Sequence, residues 1–412
     1  MVSSTLRDKL SKHATSLSIV SVIAMFVSGL VIPKVLNWFF VVGLMICFVA
    51  FIGLSRTGRL SGIFINERNL MSLSRFQLVI WSIIVLSAFL TIALLRISAH
   101  FADPAIIVNP LDITVPDSLW TLLGISTASL VGSPLLLSTK LAKTPEPSEQ
   151  KEFVALKVAK YDKANSKKIA ETIIAEKGKD ILDKDFELEI FSGTTIPDQR
   201  NLLLANKGLL KSELEPLYLE ERYLITQRSN LNKEEEKIRA DLATLDAGAN
   251  RSKFDQTQKD LNKKTAAVQT LTSRIENIQR EIKDKESEMK EIKDSQLNLN
   301  NIVDGVKKIR DGIESKGTLN FNADINDAKF SDMFQGDEEG NCKHIDMAKV
   351  QMFFFTLIVA FSYMVLLVNL ILNNDAKDLG GFPELSDGLV ALLGISTGGY
   401  LGNKAGDKTK TV

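Results

Sequence analysis

Four long stretches without a charged side chain constrain this chain more than any other feature. Residues 17–32, 35–54, 78–95 and 350–372 contain no Asp, Glu, Lys or Arg, whereas almost every third residue between 140 and 349 is charged. The zero net charge of the 412 residues hides this segregation. A helix of ~20 apolar residues crosses the ~30 Å hydrocarbon layer of a bilayer. The pattern therefore indicates one part of the chain in membrane and another in water.

Six segments reach or approach the length of a membrane-spanning helix. They cover residues 14–32, 35–54, 77–97, 119–139, 350–372 and 385–401. Only Pro33 and Lys34 separate the first two, so we expect a tight helical hairpin. The first segment lacks the small-residue exit of a cleaved signal peptide and is expected to remain as an anchor. The sequence predicts an all-α membrane protein with about six transmembrane helices, of which the short, glycine-rich sixth is the least typical.

The basic residues beside these segments predict the orientation. When six spans are threaded through a membrane, twelve basic residues fall on one side and three on the other. The twelve are Arg7, Lys9, Lys12, Arg56, Arg59, Arg68, Arg75, Lys140, Lys143, Lys404, Lys408 and Lys410, and the three are Lys34, Arg96 and Lys377. Basic flanks collect on the cytoplasmic side. Both termini and the long insertion between spans four and five are therefore predicted to be cytoplasmic.

An internal repeat is visible when the spans are compared. The sequence Leu-Leu-Gly-Ile-Ser-Thr occurs at 122–127 and again at 392–397. Each copy follows an apolar span with a glutamine near its start and a proline-containing loop, with Gln77 and Pro116 in the first copy and Gln351 and Pro383 in the second. Both copies run in the same direction through the membrane. We therefore predict a parallel two-helix repeat.

The insertion contains two long helical patterns with a seven-residue apolar period. The first runs from Leu203 to Leu245, and the second follows a glycine-containing break at 246–250. A sustained seven-residue period is typical of a left-handed coiled coil, which we predict over 198–315. Its seam includes Leu261, Val268, Leu271, Ile275, Ile278, Ile282, Met289 and Ile292. The pattern allows either an intrachain hairpin or pairing with other subunits, and the break at 246–250 favours the hairpin.

The boundaries between these regions follow from the changes in composition. In the segment before the coiled coil, 153–158 and 186–190 have the pattern of short strands around a helix-like stretch at 166–177. The predicted regions are a two-helix hairpin (1–54), a basic loop (55–76), the first transmembrane repeat (77–139), a small mixed segment (145–197), the coiled coil (198–315), an acidic linker (316–346), the second transmembrane repeat (347–402) and a tail (403–412).

Small residues recur at every fourth position in spans four and six, with hydroxyl-bearing residues beside them. The small residues are Gly124, Ala128, Gly132, Gly394, Gly398 and Gly402, and the hydroxyl-bearing neighbours singled out are Ser126, Thr127, Ser396 and Thr397. Small residues at this spacing let helix backbones approach closely, so helix packing is the first interpretation. The alternative is that the hydroxyl-bearing faces line a narrow pore.

Several function classes lack support in the sequence. The predicted spans carry no charged residue away from their ends, which argues against an ion-coupled transporter. Arg96, at the outer end of span three, is expected to extend to the lipid headgroups. The chain has no P-loop, nucleophile elbow, HExxH or dinucleotide-binding fingerprint, and its cysteines and histidines are scattered. Acids alternate with bases along the coil, so no nucleic-acid stripe is indicated. We predict no enzyme, cofactor or metal site.

An acidic run with aromatic residues precedes span five. It extends over 330–341 and includes Asp332, Phe334, Asp337, Glu338 and Glu339. A solvated acidic loop is the simplest interpretation. The alternatives are a divalent-cation site, for which the EF-hand spacing is missing, and a segment that docks a partner.

The same run carries a resemblance. Phe-Ser-Asp-x-Phe-x-Gly-Asp-Glu-x-Gly-Asn at 330–341, followed by Val-Gln-Met-Phe-Phe-Phe at 350–355 and a closing Leu-Leu-Gly-Ile-Ser helix, resembles uncharacterised bacterial inner-membrane proteins. The likeness covers about the last 80 residues and the first repeat copy. It implies a bacterial cytoplasmic membrane and no particular activity.

These features together favour a structural role. The expected function is an inner-membrane anchor or scaffold that self-associates into a homo-oligomer through its transmembrane helices. A cytoplasmic protein partner is expected to bind the coiled coil. The alternative is an ion channel or pore-forming effector that is gated by the cytoplasmic region.

Overall fold

The computed structural model describes most of the chain. The described residues are 4–32, 34–103, 105, 109–163, 166–175, 189–191, 194–245 and 251–412. They form two compact units, one made of 1–178 with 305–412 and the other of 179–304. The first unit holds the apolar helices, and the second holds most of the charged insertion.

Ten α-helices and one short strand pair are described. The helices are α1 (Ser4–Val31), α2 (Lys34–Thr57), α3 (Leu73–Ala102), α4 (Asp117–Leu141), α5 (Pro147–Val158), α6 (Ser166–Ala175), α7 (Ile196–Thr244), α8 (Arg251–Lys316), α9 (Met347–Asn373) and α10 (Asp387–Ala405). The strands β1 (Glu189–Phe191) and β2 (Thr194–Thr195) pair antiparallel, with Glu189 opposite Thr195.

Five of these helices are long and apolar enough to cross a membrane. The qualifying segments are Ser11–Ser28, Val35–Thr57, Leu73–Ala102, Asp117–Leu141 and Met347–Asn373. The structure is therefore that of a mainly helical chain with several potential membrane spans, as the sequence predicted. Helix α10, the predicted sixth span, has 19 residues and does not reach the same combination of length and hydropathy.

Large aromatic side chains fill the interior of the apolar unit. Trp38 of α2, Trp81 of α3 and Tyr363 of α9 are fully buried, and the Trp81 and Tyr363 ring centroids lie 6.2 Å apart. The indole Nε1 of Trp38 donates a hydrogen bond of 2.9 Å to Ser87 Oγ of α3. Aromatic rings bury large areas while a polar tip finds a partner. These contacts join α2, α3 and α9 into one core.

The loop after α3 and the loop after α9 pair with each other. The Thr114 amide donates to Gly380 O at 2.8 Å, and the Phe382 amide donates to Thr114 O at 2.9 Å. Thr114 and Gly381 therefore form a parallel bridge. Each lies two residues before the proline of its predicted repeat copy. The loop after α3 and the loop after α9 are thus held together at equivalent positions.

Arg96 holds this loop pair and does not extend to the headgroups, so that expectation is wrong. Its guanidinium is buried and donates to three backbone carbonyls, those of Pro110 at 2.9 Å, Asn109 at 3.0 Å and Leu379 at 3.1 Å. Five guanidinium N–H groups in a rigid fork suit such simultaneous contacts. Arg96 therefore connects the end of α3 to the loop after α3 and to the loop after α9.

The segment before the coiled-coil region is more helical than the sequence indicated. Residues 153–158, predicted as a strand, lie in α5. Pro147 occupies the first turn of α5. The backbone N–H groups of a first turn have no partner within the helix, so a proline there costs no hydrogen bond, and its fixed φ suits a helix. This signal favours a helix. Within 186–190, only Glu189 and its neighbour 190 are described, in β1, and 186–188 lie outside the described residues. The helix predicted at 166–177 is α6 as far as Ala175.

In the second unit, α7 and the part of α8 up to residue 304 lie antiparallel within one chain. Three ion pairs join the two helices, and as the residue number rises along α7 the number of its partner in α8 falls. The pairs are Glu213 with Lys285, Glu220 with Arg274 and Glu234 with Lys264. This is the order of a hairpin, one of the two arrangements that the sequence left open. The predicted break at 246–250 lies outside the described residues.

The predicted seam residues of α8 face inward. Ile275, Ile278 and Ile282 are buried together with Leu214 and Leu224 of α7. Leu261, Val268, Leu271, Met289 and Ile292 are partly buried at the same seven-residue spacing. Burial of this stripe accounts for the pairing of two helices that are otherwise rich in charge.

Candidate functional site

After the end of α8, the acidic segment 316–346 folds around three short 3-10 helices, at Ile325–Asp327, Phe330–Phe334 and Glu339–Asn341. Asp332 Oδ2 accepts from the Lys329 amide at 2.8 Å, and Asn341 Oδ1 accepts from the Glu338 amide at 3.1 Å. Backbone bridges join Leu319 to Glu338 and Gln335 to Ile345. Local side-chain-to-backbone bonds of this kind replace the ladder of a helix or sheet. The segment is therefore shaped well enough to position individual carboxylates.

Asp337 meets three cations that come from separate parts of the chain. Its carboxylate lies 2.6 Å from Arg68 Nη2, 3.0 Å from Lys349 Nζ and 3.2 Å from Lys404 Nζ. Arg68 precedes α3, Lys349 lies in the first turn of α9, and Lys404 lies at the end of α10. Burial by itself raises the pKa of Asp337, but the three cations outweigh it and hold the pKa well below its usual range. Asp337 is thus the ionic centre that joins three helix ends.

Hydroxyl groups continue from this centre into the helices. Lys404 Nζ donates to Ser133 Oγ and to Tyr400 Oη, each at 2.6 Å. Tyr400 Oη is 3.2 Å from Ser74 Oγ, which accepts from Ser129 Oγ at 3.0 Å. The chain of polar contacts therefore leads from Asp337 to buried hydroxyls of α3, α4 and α10.

A second buried ion pair lies beside the first. Lys140 Nζ of α4 donates to the Glu338 carboxylate and, at 2.7 Å, to Gly406 O. Glu338 Oε2 accepts from the amides of Lys408 and Thr409, both at 2.9 Å. A carboxylate with two backbone donors and an ammonium partner has its lone pairs satisfied, as a buried charge requires. Glu338 therefore fixes the end of α4 and the C-terminal tail to the acidic segment.

The C-terminal tail is paired further along the chain. The Glu146 amide donates to Lys410 O at 2.9 Å, and the Val412 amide donates to Thr144 O at 3.1 Å. Pro145 and Thr411 thereby form an antiparallel bridge. The tail, predicted only as a cytoplasmic extension, is thus held against the residues that follow α4.

The expectation of a solvated acidic loop is wrong for the residues of the run that were proposed for docking. Asp332, Glu338 and Glu339 are buried, and Asp337 is shielded by its three cations. Phe334 is half-buried against Phe353 of α9, with ring centroids 5.1 Å apart. These residues therefore contact the ends of the chain's own helices. The cationic partners are Arg68, Lys140, Lys349 and Lys404. The sequence analysis used Arg68, Lys140 and Lys404 only for orientation and did not single out Lys349.

Glu339 differs from its neighbours because its carboxylate lacks a partner. Neither of its oxygens meets a hydrogen-bond donor among the described residues. Burial, followed by the nearby charge of Glu149, raises the pKa of Glu339 to about 8. Lys157 Nζ, whose pKa burial lowers to about 8, donates instead to Asn322 Oδ1 at 3.1 Å. Burial without a partner therefore favours the neutral form of Glu339.

The small-residue positions of α4 and α10 are only partly used within the chain. An added Cβ at Gly132 would lie 3.5 Å from Leu401, and one at Gly394 would lie 3.6 Å from Ile125. Four other positions are exposed on this single chain, and they are Gly124, Ala128, Gly398 and Gly402. Only part of the predicted close approach therefore occurs between α4 and α10.

The hydroxyl-bearing neighbours fall into two groups. Ser126 and Thr127 donate to their own helix, at Leu122 O (3.1 Å) and Leu123 O (2.9 Å). Ser396 and Thr397 are buried, and their hydroxyls meet no partner among the described residues. Gln77 of α3 is also buried with both amide atoms unpartnered in that part of the chain. Buried polar groups without a hydrogen-bond partner are unusual in proteins, so these three side chains stand out among the buried residues of the helices.

Searches against known proteins give no relative. No family model, no curated protein and no solved structure matches the chain. Among the described residues, no group of three or more His, Cys, Asp or Glu side chains is placed to hold a metal ion. The chemistry of the helix-end ion network is therefore the main guide to function.

Proposed function

We propose that the chain is a bacterial inner-membrane anchor or scaffold. In this proposal its membrane helices self-associate, and its cytoplasmic coiled coil docks a protein partner. The observation that carries the proposal is the ion network that fixes the acidic segment to the ends of α3, α4, α9 and α10. A segment held by buried charges transmits displacement better than a solvated linker, because breaking a buried pair is costly.

The last turns of α8 pack inside the unit that holds the apolar helices. Residues 305–316 belong to the first compact unit, which holds the apolar helices. A Cβ at Gly305 would lie 2.5 Å from the Tyr161 ring, and a Cβ at Gly312 would lie 2.1 Å from the Phe321 ring. Glycine at both positions allows these rings to pack directly on the helix backbone. The C-terminal end of α8 is therefore packed against Tyr161, which follows α5, and against Phe321 of the acidic segment.

The proposed topology has six spans with both termini in the cytoplasm. It treats α10 as the sixth span, in a parallel repeat with α4. Support comes from the basic asymmetry and from the bridge between Thr114 and Gly381 at equivalent repeat positions. The test is Asp112→Cys in a background with Cys47→Ala and Cys342→Ala. We expect an impermeant maleimide to label intact cells, and labelling only after lysis would contradict the topology.

Self-association is proposed through the exposed small residues of α4 and α10. Gly398→Leu places a side chain where a second backbone is expected, and overpacking typically costs ~1–3 kcal/mol. We expect a smaller oligomer in mild detergent by light scattering. Gly399→Leu is the matched control on the same helix, since Gly399 is also exposed with open space around it. Equal effects of both variants would remove the basis for a specific small-residue contact.

Docking of a partner is proposed on a second apolar stripe of α7. Leu202, Leu209 and Tyr223 are exposed and lie at multiples of seven residues, and Leu219 lies one turn before Tyr223. A second seam of this kind on a paired helix suits a third helix. A photo-crosslinking amino acid at Leu209 in the full chain should yield a product with a different protein. The same amino acid at Glu215 is the control, and crosslinks only to a second copy would refute the docking proposal.

The ion-channel alternative is favoured by one observation. Gln77, Ser396 and Thr397 are buried without partners among the described residues. Polar side chains of this kind line narrow water-filled paths in channels. The test is planar-bilayer recording of the purified protein. The scaffold proposal expects no conductance, whereas currents that change with Ser396→Ala would replace it with the channel.

A further inference from the structure

A cavity of about 340 Å³ lies where α3 begins and α4 ends. One side is polar and includes Arg68, Lys349 and Lys404 with Asp337. The part of the lining that α4 supplies is mainly apolar, and it includes Leu130, Pro134 and Leu137. A space with a cationic end and an apolar wall at the end of membrane helices is suited to an amphipathic ligand.

The cavity carries more positive than negative charge. Five basic and three acidic residues line it, and they are Arg68, Arg75, Lys316, Lys349 and Lys404 against Glu67, Asp332 and Asp337. The surplus is concentrated at the buried end. There the Arg68, Lys349 and Lys404 side chains are 9%, 6% and 4% exposed, and Asp337 is the one carboxylate that pairs with all three. Three buried cations therefore share one carboxylate partner, and Asp332, the other buried acid of the lining, forms no ion pair with them.

The cations also retain capacity to donate. Lys349 Nζ donates to Gln335 O at 2.5 Å and lies 3.0 Å from Asp337. Since an ammonium group carries three hydrogens, one further donor remains beyond these contacts within the described chain. Arg68 donates to Asn320 O, Asp337 O and Asp337 Oδ1, which uses three of its five N–H groups. Charge and donors thus both point to an additional acceptor.

We propose that this cavity binds a phosphate-type oxyanion. An oxyanion supplies the missing negative charge and several acceptor oxygens, and bonds between charged partners are the stronger class of hydrogen bond. The phosphate could belong to an anionic phospholipid or be free in solution. Pro134, Ser138 and Leu141 line the cavity from exposed positions of α4, so the opening on that side allows acyl chains to follow a headgroup. The proposal is independent of the scaffold function.

The ligand source is tested on the full-length protein in a neutral detergent. Dioctanoyl phosphatidylglycerol, dioctanoyl phosphatidylcholine or sodium phosphate is titrated at constant ionic strength, and the thermal unfolding midpoint and the binding isotherm are measured. A ligand that binds only the folded protein raises the midpoint. We expect phosphatidylglycerol to bind and stabilise and phosphatidylcholine to do neither. Binding of sodium phosphate with no further gain from phosphatidylglycerol would support the oxyanion site with a soluble source.

Two variants with opposite expected effects test the site itself. Lys404→Gln keeps a donor for Ser133 and Tyr400 but removes one charge, and it should weaken binding by about tenfold or more. Asp337→Asn removes the competing carboxylate and should tighten binding, which a merely structural role would not do. Ser138→Trp narrows the opening without touching the ion network and should weaken only the lipid.

Lys143→Gln is the control for general electrostatic attraction, because Lys143 is an exposed lysine close to the same helix ends. It should bind like the wild type. Circular dichroism and size-exclusion profiles identify variants that fail to fold, and either Lys404→Gln or Asp337→Asn suffices for the test. Equal weakening of binding by Lys143→Gln and Lys404→Gln would overturn the proposal. So would the absence of binding by both phosphatidylglycerol and sodium phosphate.

Discussion

The ends of the membrane helices and the α7–α8 pair use the same ion-pair chemistry in opposite surroundings. At the helix ends, the side chains of Lys140 and Glu338 are 1% and 2% exposed. Between α7 and α8, those of Arg274 and Glu220 are 62% and 39% exposed. The first pair also satisfies backbone donors, whereas the second lies over an apolar seam. The two regions therefore depend on different forces despite a similar content of charge.

This difference in exposure indicates which interactions stabilise each region. An exposed ion pair typically contributes 0–1 kcal/mol, so the α7–α8 pair depends on its buried leucines and isoleucines. Removing one partner of a buried pair leaves an unpaired charge and costs ~3–5 kcal/mol. The helix ends should therefore be sensitive to single charge removals that the α7–α8 pair tolerates.

The largest effect is expected for Glu338→Leu. The change leaves Lys140 charged in a buried site and removes the acceptor of the Lys408 and Thr409 amides. We expect the free energy of unfolding to fall by ~3–5 kcal/mol, measured by equilibrium unfolding in mixed detergent micelles. Glu152→Gln removes the exposed partner of Lys343 and serves as the control with little expected change. Similar stabilities of the two variants would show that burial of the pair is unimportant.

Next in size is Ile278→Asp, which tests the seam. Ile278 is buried between α7 and α8, so a carboxylate there loses its hydration without gaining a partner. We expect a loss of ~2–4 kcal/mol in the unfolding of this region and faster hydrogen exchange in both helices. Leu297→Asp on the same helix is the control, because Leu297 is exposed. If the control loosens the helices equally, the seam does not hold them.

A smaller effect, with a defined pH dependence, is expected for Glu339→Gln. The pKa of Glu339 is about 8 in the folded protein and about 4.5 when unfolded. Between these values the unfolded chain releases a proton that the folded chain retains, so stability falls as pH rises through this window. Glutamine removes that loss, and we expect roughly 2 kcal/mol of added stability at pH 9 and little change at pH 4.5.

The control for that experiment is Glu152→Gln, since Glu152 is an exposed glutamate that pairs with Lys343. It should leave the pH dependence of the thermal midpoint as in the wild type. A wild-type midpoint that does not decline between pH 5 and pH 9 relative to Glu339→Gln would contradict the neutral form of Glu339.

The smallest effect is expected for Arg274→Met. Arg274 pairs with Glu220 at 2.6 Å, but both side chains are largely in solvent. We expect the free energy of unfolding to change by less than ~1 kcal/mol, with no change in the exchange of the flanking amides. A larger loss would mean that ion pairs, in addition to the seam, stabilise the α7–α8 pair.

Local patterns in the sequence predicted the elements well and their long-range contacts poorly. Apolar length predicted α1 to α4 and α9, because a membrane span is defined by its own composition. The seven-residue period predicted which side of α8 faces inward, as Ile275 and Ile282 illustrate. The pattern at 153–158 was misread because the proline at the start of α5 was not used.

The burial of Asp337 and Glu338 was beyond such patterns. Clustered acids are usually solvated, and their partners Arg68 and Lys140 lie far away in the sequence. Each basic residue beside a span was explained by membrane orientation alone, although the same position lets it reach an acid inside the protein. Arg96 illustrates the same point, since its three carbonyl partners come from loops without any distinctive sequence.

The most direct test of the contrast between the two regions is a pair of double-mutant cycles in the full-length protein. One cycle combines Lys140→Met with Glu338→Gln, and the other combines Arg274→Met with Glu220→Gln, with coupling energies from equilibrium unfolding. We predict a coupling of ~2 kcal/mol or more for the buried pair and below ~1 kcal/mol for the exposed pair. Equal couplings, or a larger one for Arg274 with Glu220, would contradict a membrane unit held to its acidic segment by buried charge.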